Sequence, residues 1–346
     1  MESDVKKDIF KRIAQTALKA GIEMSPHLIV ELLYKKIFDH KTISDPIKRF
    51  EYDDFPHLIR EKAKFKSGDN LLTGYFYHYQ KYSDKKIVIF AHGYGNGHHR
   101  YLDIIDCLAK YGFLVFAYDA TSFDESEGDG ILGFPQGVID LSNAIKYVKR
   151  AKKYKDENIV LVAHSWGAYC SGAVINEFPH ISKVVSMAGF NYAVDLIHAQ
   201  GHEWAGQLVE DQVPFMEEYE KRHFGKYAGF KVVNAIKKSD TKFFFIHSED
   251  DTTVPIKIGL KLYQKGNKSN HRVKFKIFKD RTHICYNTVE GNKYFASLKA
   301  EYEKNIKDKE YSWEDKKHLL DLIVDKKKYL NMLNQDLMKE IVKFIK

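Results

Sequence analysis

The sequence is poor in cysteine, and the three it has, Cys107, Cys170 and Cys285, are too few and too scattered for a disulfide framework. Their odd number points to a reducing compartment, so a cytoplasmic setting is expected. No run approaches the roughly 18 apolar residues of a membrane-spanning helix, so stable membrane insertion is not expected. The first thirty residues carry Glu, Asp and Lys throughout with no continuous apolar stretch, and no secretory signal is expected there. Spacings of the H-E-x-x-H or C-x-x-C kind are missing. His92, His98 and His99 do cluster in one glycine-rich segment, but no metal and no cofactor are expected. An arginine-rich arm is lacking too. The net charge of +8 comes mostly from lysines spread along the whole chain. That pattern reads as a solvated surface rather than a nucleic-acid-binding face.

What is present is apolar and aromatic. Hydrophobic residues make up 44% of the 346, with 22 Tyr and 23 Phe, enough for a substantial packed core. The length allows one large domain with additions or two smaller domains.

The most informative stretch is IVLVAHSWG at 159–167. An apolar, β-rich run ends abruptly at Ser165, and the small residues that follow read as the opening of a helix. A strand that turns sharply into a helix holds one side chain clear of the sheet edge, the G-x-S-x-G elbow of an activated serine. Small residues are needed two before and two after the serine, because the turn brings strand and helix backbones together. Gly167 fits, and Ala163 departs from glycine by one methyl. Read structurally, the same stretch is a buried strand and a helix start with Ser165 as its cap.

Three further segments end apolar strands at groups that acyl transfer would use. Residues 86–91 (KIVIFA) run into His92, Gly93, Tyr94 and Gly95. Acyl transfer needs two backbone N–H groups aimed at the developing oxyanion, and Tyr94 and Trp166 are the expected donors. Residues 243–248 (FFFIHS) lead to Asp250 and Asp251, either of which could orient a histidine; Asp251 is favoured and Asp250 competes. Residues 273–278 (VKFKIF) alternate like a half-buried strand, and His283 follows five positions later, late in the chain. The order Ser165, Asp251, His283, each after an expected strand, places all three at one edge of a parallel sheet.

On these motifs the stretch from about residue 65 to 295 resembles the α/β-hydrolase-fold serine hydrolases, in particular the serine aminopeptidase/monoacylglycerol lipase-like group. The resemblance implies an α/β fold, with a mostly parallel central sheet flanked by helices, a small helical cap and an N-terminal helical extension. It implies Ser165 as nucleophile, His283 as base, Asp251 as orienting acid, and Tyr94 and Trp166 as oxyanion donors. Tyr118, Asp119 and Ala120 occupy the place of the group's usual D-x-R-G-x-G-x-S turn, with the arginine missing and a longer loop. That departure bears on substrate rather than on catalysis.

The expected organisation is a helical extension over 1–60, with amphipathic segments near 4–19 and 26–38, then a first part of the core over 61–189. A cap over 190–241 and a second part of the core over 242–346 follow, the latter with a helical insertion at 291–330. Residues 62–66 and 71–79 flank a hairpin turn, and a terminal stripe of Leu337, Ile341, Val342 and Ile345 is expected to cover the sheet. His92, Gly93, Trp204, Phe215 and Met216 are candidate substrate contacts. The expected substrate is a small ester or acyl compound. The alternatives are an aminopeptidase or amidase that binds the substrate amine with Glu210, Asp211, Glu217, Glu218 and Glu220, and a non-catalytic binding protein of the same fold.

Overall fold

Four apolar runs, residues 87–91, 114–118, 159–163 and 243–246, have no polar alternation, as strands buried on both faces must. In the computed structural model they are the centre of one eight-stranded sheet. The structure describes residues 25–346 except Gly206 and Asp308, and omits the side chains of Asp84 and of 203–208. The segment near 4–19, expected to be helical, lies outside the described residues.

Helix α1 (Pro26–Phe38) precedes the hairpin of β1 (Ile59–Ser67) and β2 (Asn70–His78). Then come β3 (Ser83–Ala91), α2 (Leu102–Lys110), β4 (Phe113–Tyr118), α3 (Pro135–Lys152), β5 (Ile159–His164), α4 (Trp166–Ala173) and β6 (Lys183–Met187). The connection from β6 to β7 (Lys242–Ser248) carries α5 (Ala193–Ala205), α6 (Gln207–Glu210), α7 (Val213–Phe224) and α8 (Val232–Lys238). After β7 come α9 (Leu260–Gln264) and β8 (Val273–Phe278). The chain ends with α10 (Val289–Asn305), α11 (Trp313–Ile323), α12 (Lys326–Leu330) and α13 (Gln335–Ile345).

Strand order is β1-β2-β4-β3-β5-β6-β7-β8. β1 and β2 are antiparallel, β2 joins β4 antiparallel, and every other pairing is parallel. The hairpin turns at Gly68, whose φ of +60° suits glycine, and Ser67 faces Asn70 across it. Side chains alternate between two cores, one on each face of the sheet. Ile87, Ile89, Leu161 and Ala163 belong to one; Val88, Phe90, Val160 and Val162 belong to the other. On the second face lies α13, with Leu337, Ile341, Val342 and Ile345 buried. The three cysteines are buried and unpaired. Among the described residues, no helix is long and apolar enough to cross a membrane.

Because β3, β5, β6, β7 and β8 lie side by side and parallel, their C-terminal ends share one edge. The loops after them, at 92–97, 165, 249–255 and 279–283, meet there.

Candidate active site

Ser165 sits where β5 becomes α4, with φ 57° and ψ −120°. That conformation is strained for any residue with a Cβ, and it persists only because its surroundings enforce it. The Ser165 N–H donates to Met187 O at 2.8 Å, and Tyr169 N–H donates to Ser165 O at 3.1 Å. A Cβ on Gly167 would lie 2.2 Å from Ala91 O, so only glycine lets α4 pack this close to the end of β3. Ala163, the departure from glycine, is fully buried and pairs in register with Ala91 and Ser186.

His283 reaches Ser165 from the loop after β8. Its Nε2 lies 2.9 Å from Ser165 Oγ, and its Nδ1 lies 2.8 Å from Asp251 Oδ2. Asp251 is fully held: Oδ1 accepts the N–H groups of Thr253 at 2.9 Å and Val254 at 2.8 Å, while His247 Nε2 stands 3.2 Å from Oδ2. Burial alone would raise the carboxyl pKa, but His283 and His247 beside it hold it well below the usual range. The same neighbours therefore favour Asp251 as the carboxylate. Asp250 turns away from His283, its Oδ1 taking the Ser248 hydroxyl and the Thr282 N–H at 2.9 Å. A hydroxyl, an imidazole and a carboxylate in this sequence of hydrogen bonds can pass a proton from serine to histidine and stabilise the cation that results.

The site opens on a cavity of about 800 Å³ lined by Ser165, His283, Gly93, Tyr94 and Trp166 among others. The Trp166 N–H belongs to the first turn of α4 and so has no helical acceptor. The Trp166 indole donates to Phe134 O at 2.9 Å and lies so near Gly137 that a Cβ there would be 2.4 Å from the ring. Tyr94 donates its hydroxyl to Ile37 O at 2.7 Å, tying the loop after β3 to α1. One wall of the cavity is apolar, built from Leu33, Ile37 and Phe38 of α1, Phe134, and Leu196 and Ile197 of α5.

Several expected contacts lie elsewhere. His92 is buried behind the loop, its Nδ1 donating to Gly93 O at 2.8 Å and its Nε2 accepting from Ala120 N–H at 2.9 Å. Its ring braces the loop and does not line the cavity. Met216 is buried in the core, and Phe215 lines a separate small groove with His27, Glu218, Tyr219 and Arg222. Both follow from the packing of α7 against α1, which turns this part of α7 away from Ser165. The side chain of Trp204 lies outside the described residues. None of the acids at 210, 211, 217, 218 and 220 lines the cavity. Glu220 is instead buried, accepting the Tyr34 hydroxyl at 3.0 Å, and desolvation pushes its carboxyl pKa up to about 8. Asp119, in the variant turn, is buried against His98, with 2.7 Å between Oδ1 and Nδ1. Cys285 is a packing group, its thiol pKa raised by burial.

Other residues of the site left no sign in the sequence. Tyr101 OH accepts the Gly93 N–H at 3.1 Å and donates to His164 Nδ1 at 3.0 Å, while His164 Nε2 donates to His283 O at 2.9 Å. The position of His164 beside the serine was the only available hint. Among the described residues one group could hold a metal ion: His198, His202 and Glu210, whose ligand atoms lie within 4.8 Å of one another. It does not line the cavity.

Known proteins resemble the chain at two levels. Residues 82–217 match the family model described as "Serine aminopeptidase, S33". Rat monoglyceride lipase is 29% identical over 139 residues, which are 39% of this chain and 42% of the rat protein. The mouse monoglyceride lipase is 30% identical over 132 residues, 37% of this chain and 40% of that one. The matched segment thus spans about two-fifths of the length of these relatives. Among solved structures, a Pyrococcus furiosus esterase superimposes with a TM-score of 0.54 at 21% identity, covering 77% of this chain and 98% of the esterase. A Pyrococcus horikoshii acylaminoacyl peptidase gives 0.53 at 16% identity, over 75% of this chain and 44% of the peptidase. The sheet order, the elbow and these likenesses agree: the chain has the α/β-hydrolase fold, and about two-fifths of it resembles the serine aminopeptidase family and the monoglyceride lipases.

Proposed function

We propose that this chain is a cofactor-independent serine hydrolase that cleaves a carboxylic ester through an acyl-enzyme. Ser165 Oγ attacks the carbonyl carbon as His283 Nε2 takes its proton. The Asp251 carboxylate keeps Nδ1 protonated and the ring oriented, so that the imidazolium is stabilised as it forms. Backbone N–H groups of Trp166 and Tyr94 receive the oxyanion. The intermediate collapses, the alcohol leaves with the proton from His283, and Ser165 carries the acyl group. Water then gives its proton to His283 and attacks the acyl carbon, and Ser165 regains its proton as the acid departs. Helices α5–α8 serve as a cap whose apolar side takes the acyl chain.

The observation that carries this reading is the unbroken hydrogen-bond path from Ser165 through His283 to Asp251 at the edge of a large cavity. The monoglyceride lipase relatives support an ester. An aminopeptidase, which the matched family's description names, would need an acid to hold the substrate ammonium. Among the described residues that line the cavity the only acid is Asp280, which is exposed, while Lys48, Arg100, Lys293 and Lys299 line the same space. That balance favours the ester. The three buried, unpaired cysteines support a reducing, cytoplasmic setting.

The test is a panel of aryl esters, acylglycerols and aminoacyl amides assayed on wild type and Ser165→Ala. Ester turnover is expected, falling by about four orders of magnitude or more in the variant. Undiminished ester turnover in Ser165→Ala would refute the nucleophile. Failure of a fluorophosphonate probe to label wild type would favour a non-catalytic binding protein.

A further inference from the structure

Arg100 stands apart from the other charged groups of the cavity wall. It is 5% exposed, it makes no ion pair among the described residues, and its Nη2 is buried without a hydrogen-bond partner among them. A guanidinium cannot shed its charge, so burial without a partner is strongly unfavourable. Aromatic rings and one acid surround it. Its plane lies 4.6 Å from the Phe295 ring centre and 5.8 Å from that of Phe50. Asp103, buried on the next turn, is near enough to interact but spends one oxygen on the Ile104 N–H, at 2.8 Å.

The rest of this wall is cationic as well. Lys48 lines it from the 3₁₀ turn at Pro46–Lys48, and Lys293 and Lys299 line it from α10. Lys299 stands 3.7 Å from Glu303, and exposed Asp280 is the one acid among the described residues of the lining. These elements form their own group, since α10 packs on α11 and α11 on the 3₁₀ turn. The apolar wall comes from α1 and α5, both packed against α7. The cationic lining thus comes from the two 3₁₀ turns, Pro46–Lys48 and His98–Tyr101, and from α10, while the lining from α1 is wholly apolar.

We propose that the cationic wall is a subsite for an anionic group, a phosphate or a carboxylate, carried on the alcohol half of the ester. The reasoning rests on the ester-hydrolase reading: an acyl chain against α1 and α5 leaves the alcohol half to face Arg100, Lys48 and Lys293. Arg100 places a planar guanidinium in the lining, a group suited to phosphate or carboxylate, and the lysines at the wall draw the charge in from solvent.

Three octanoyl esters of one chain length test this: 1-octanoylglycerol, 1-octanoylglycerol 3-phosphate, and the octanoyl ester of glyceric acid. We expect kcat/KM on at least one of the anionic esters to exceed that on the neutral one by tenfold or more, and the excess to shrink with salt. Which anion is preferred separates phosphate from carboxylate. In Arg100→Gln the anionic-to-neutral ratio should fall at least tenfold, and Arg100→Lys should keep part of it. Should Arg100→Gln fail to fold, Lys293→Gln decides instead, because this side chain is exposed; there the ratio should fall about threefold. An unchanged ratio overturns the proposal, and so does a preference found only when the charge is on the acyl half, as with methyl hydrogen suberate against methyl octanoate. Binding of 1-octanoylglycerol 3-phosphate to Ser165→Ala, measured by calorimetry, separates the two readings. Binding weakened tenfold by adding Arg100→Gln, in a protein whose wild type cleaves no ester, keeps the subsite and removes the hydrolase. Ester cleavage with no effect of Arg100 on binding does the reverse.

Discussion

Replacing Ser165 by glycine should give a more stable protein than replacing it by alanine. At an ordinary buried or helical position the order is the opposite, because glycine gains more conformational freedom on unfolding, worth about 0.5–1 kcal/mol. Ser165, however, has φ 57° and ψ −120°, a region that costs a residue with a Cβ on the order of 1–3 kcal/mol. Subtracting one from the other leaves glycine ahead by roughly 1 kcal/mol. Both variants lack Oγ, so the lost hydrogen bond to His283 cancels in the comparison. The assay is urea unfolding of the two proteins at pH 7. Ser171 provides the control: it is buried within the same helix α4 at ordinary geometry, and there alanine should be the more stable by about 1 kcal/mol. If glycine at 165 is the less stable by the amount seen at 171, the elbow carries no strain and the reasoning fails.

Two other perturbations separate alternatives. Asp251→Asn should lower kcat/KM for an ester by about 10³–10⁴-fold, because an amide N–H facing Nδ1 favours the wrong tautomer. Asp250→Asn keeps an oxygen for the Thr282 N–H and should cost less than tenfold; the reverse order would mean that the acid has been misassigned. Glu220→Gln tests a buried carboxyl of α7. Its pKa of about 8 lies above the unfolded value near 4.5, so between those limits the folded state binds the extra proton and stability falls as pH rises. Glutamine, matching the neutral carboxyl in both states, should be close to wild type near pH 4 and more stable than it by about 2 kcal/mol at pH 6 and about 4 kcal/mol at pH 8. Parallel stability curves for the two proteins across this range would show that Glu220 is ionised in the fold.

The parts of the molecule that could be read from sequence are those in which a local run carries both structure and chemistry. Residues 159–167 contain a buried strand, its end and the reactive hydroxyl, so one pattern locates all three. The strand at 243–248 with Asp251, and the strand at 273–278 with His283, are legible for the same reason. The wall of the cavity is not local. Lys48, Arg100, Asn292 and Lys293 come from three elements, and on each the charged residues match an ordinary solvated face. Helical spacing says that a face exists, not what it meets. Phe215 and Met216 invite assignment to a substrate pocket, yet α7 presents them to α1 and the core. Glu220, four residues beyond Met216, looks like one more solvent-facing acid and is 0% exposed, because Tyr34 of α1 covers it. The segment at 291–330 carried no legible purpose; its first helix, α10, lines the cavity with Asn292, Lys293 and Lys299.

The geometry at Ser165 also depends on groups that touch no reacting atom. The loop after β3, the end of β5 and the loop after β8 are tied in series, from the Gly93 N–H to the Tyr101 hydroxyl, to His164 Nδ1, and from His164 Nε2 to the His283 carbonyl. For this series to hold, His164 must be neutral with its proton on Nε2, since a protonated ring would set two donors against each other at Tyr101 while Tyr101 also receives the Gly93 N–H. Burial, followed by the nearby His283, lowers the His164 pKa well below its ordinary value, which favours the neutral ring that this series needs. The two histidines, their ring centres 4.7 Å apart, are thereby given different tasks. His283 meets Ser165 Oγ at the edge of the cavity, and His164, 4% exposed, ties the loop that carries His283 to the loop after β3.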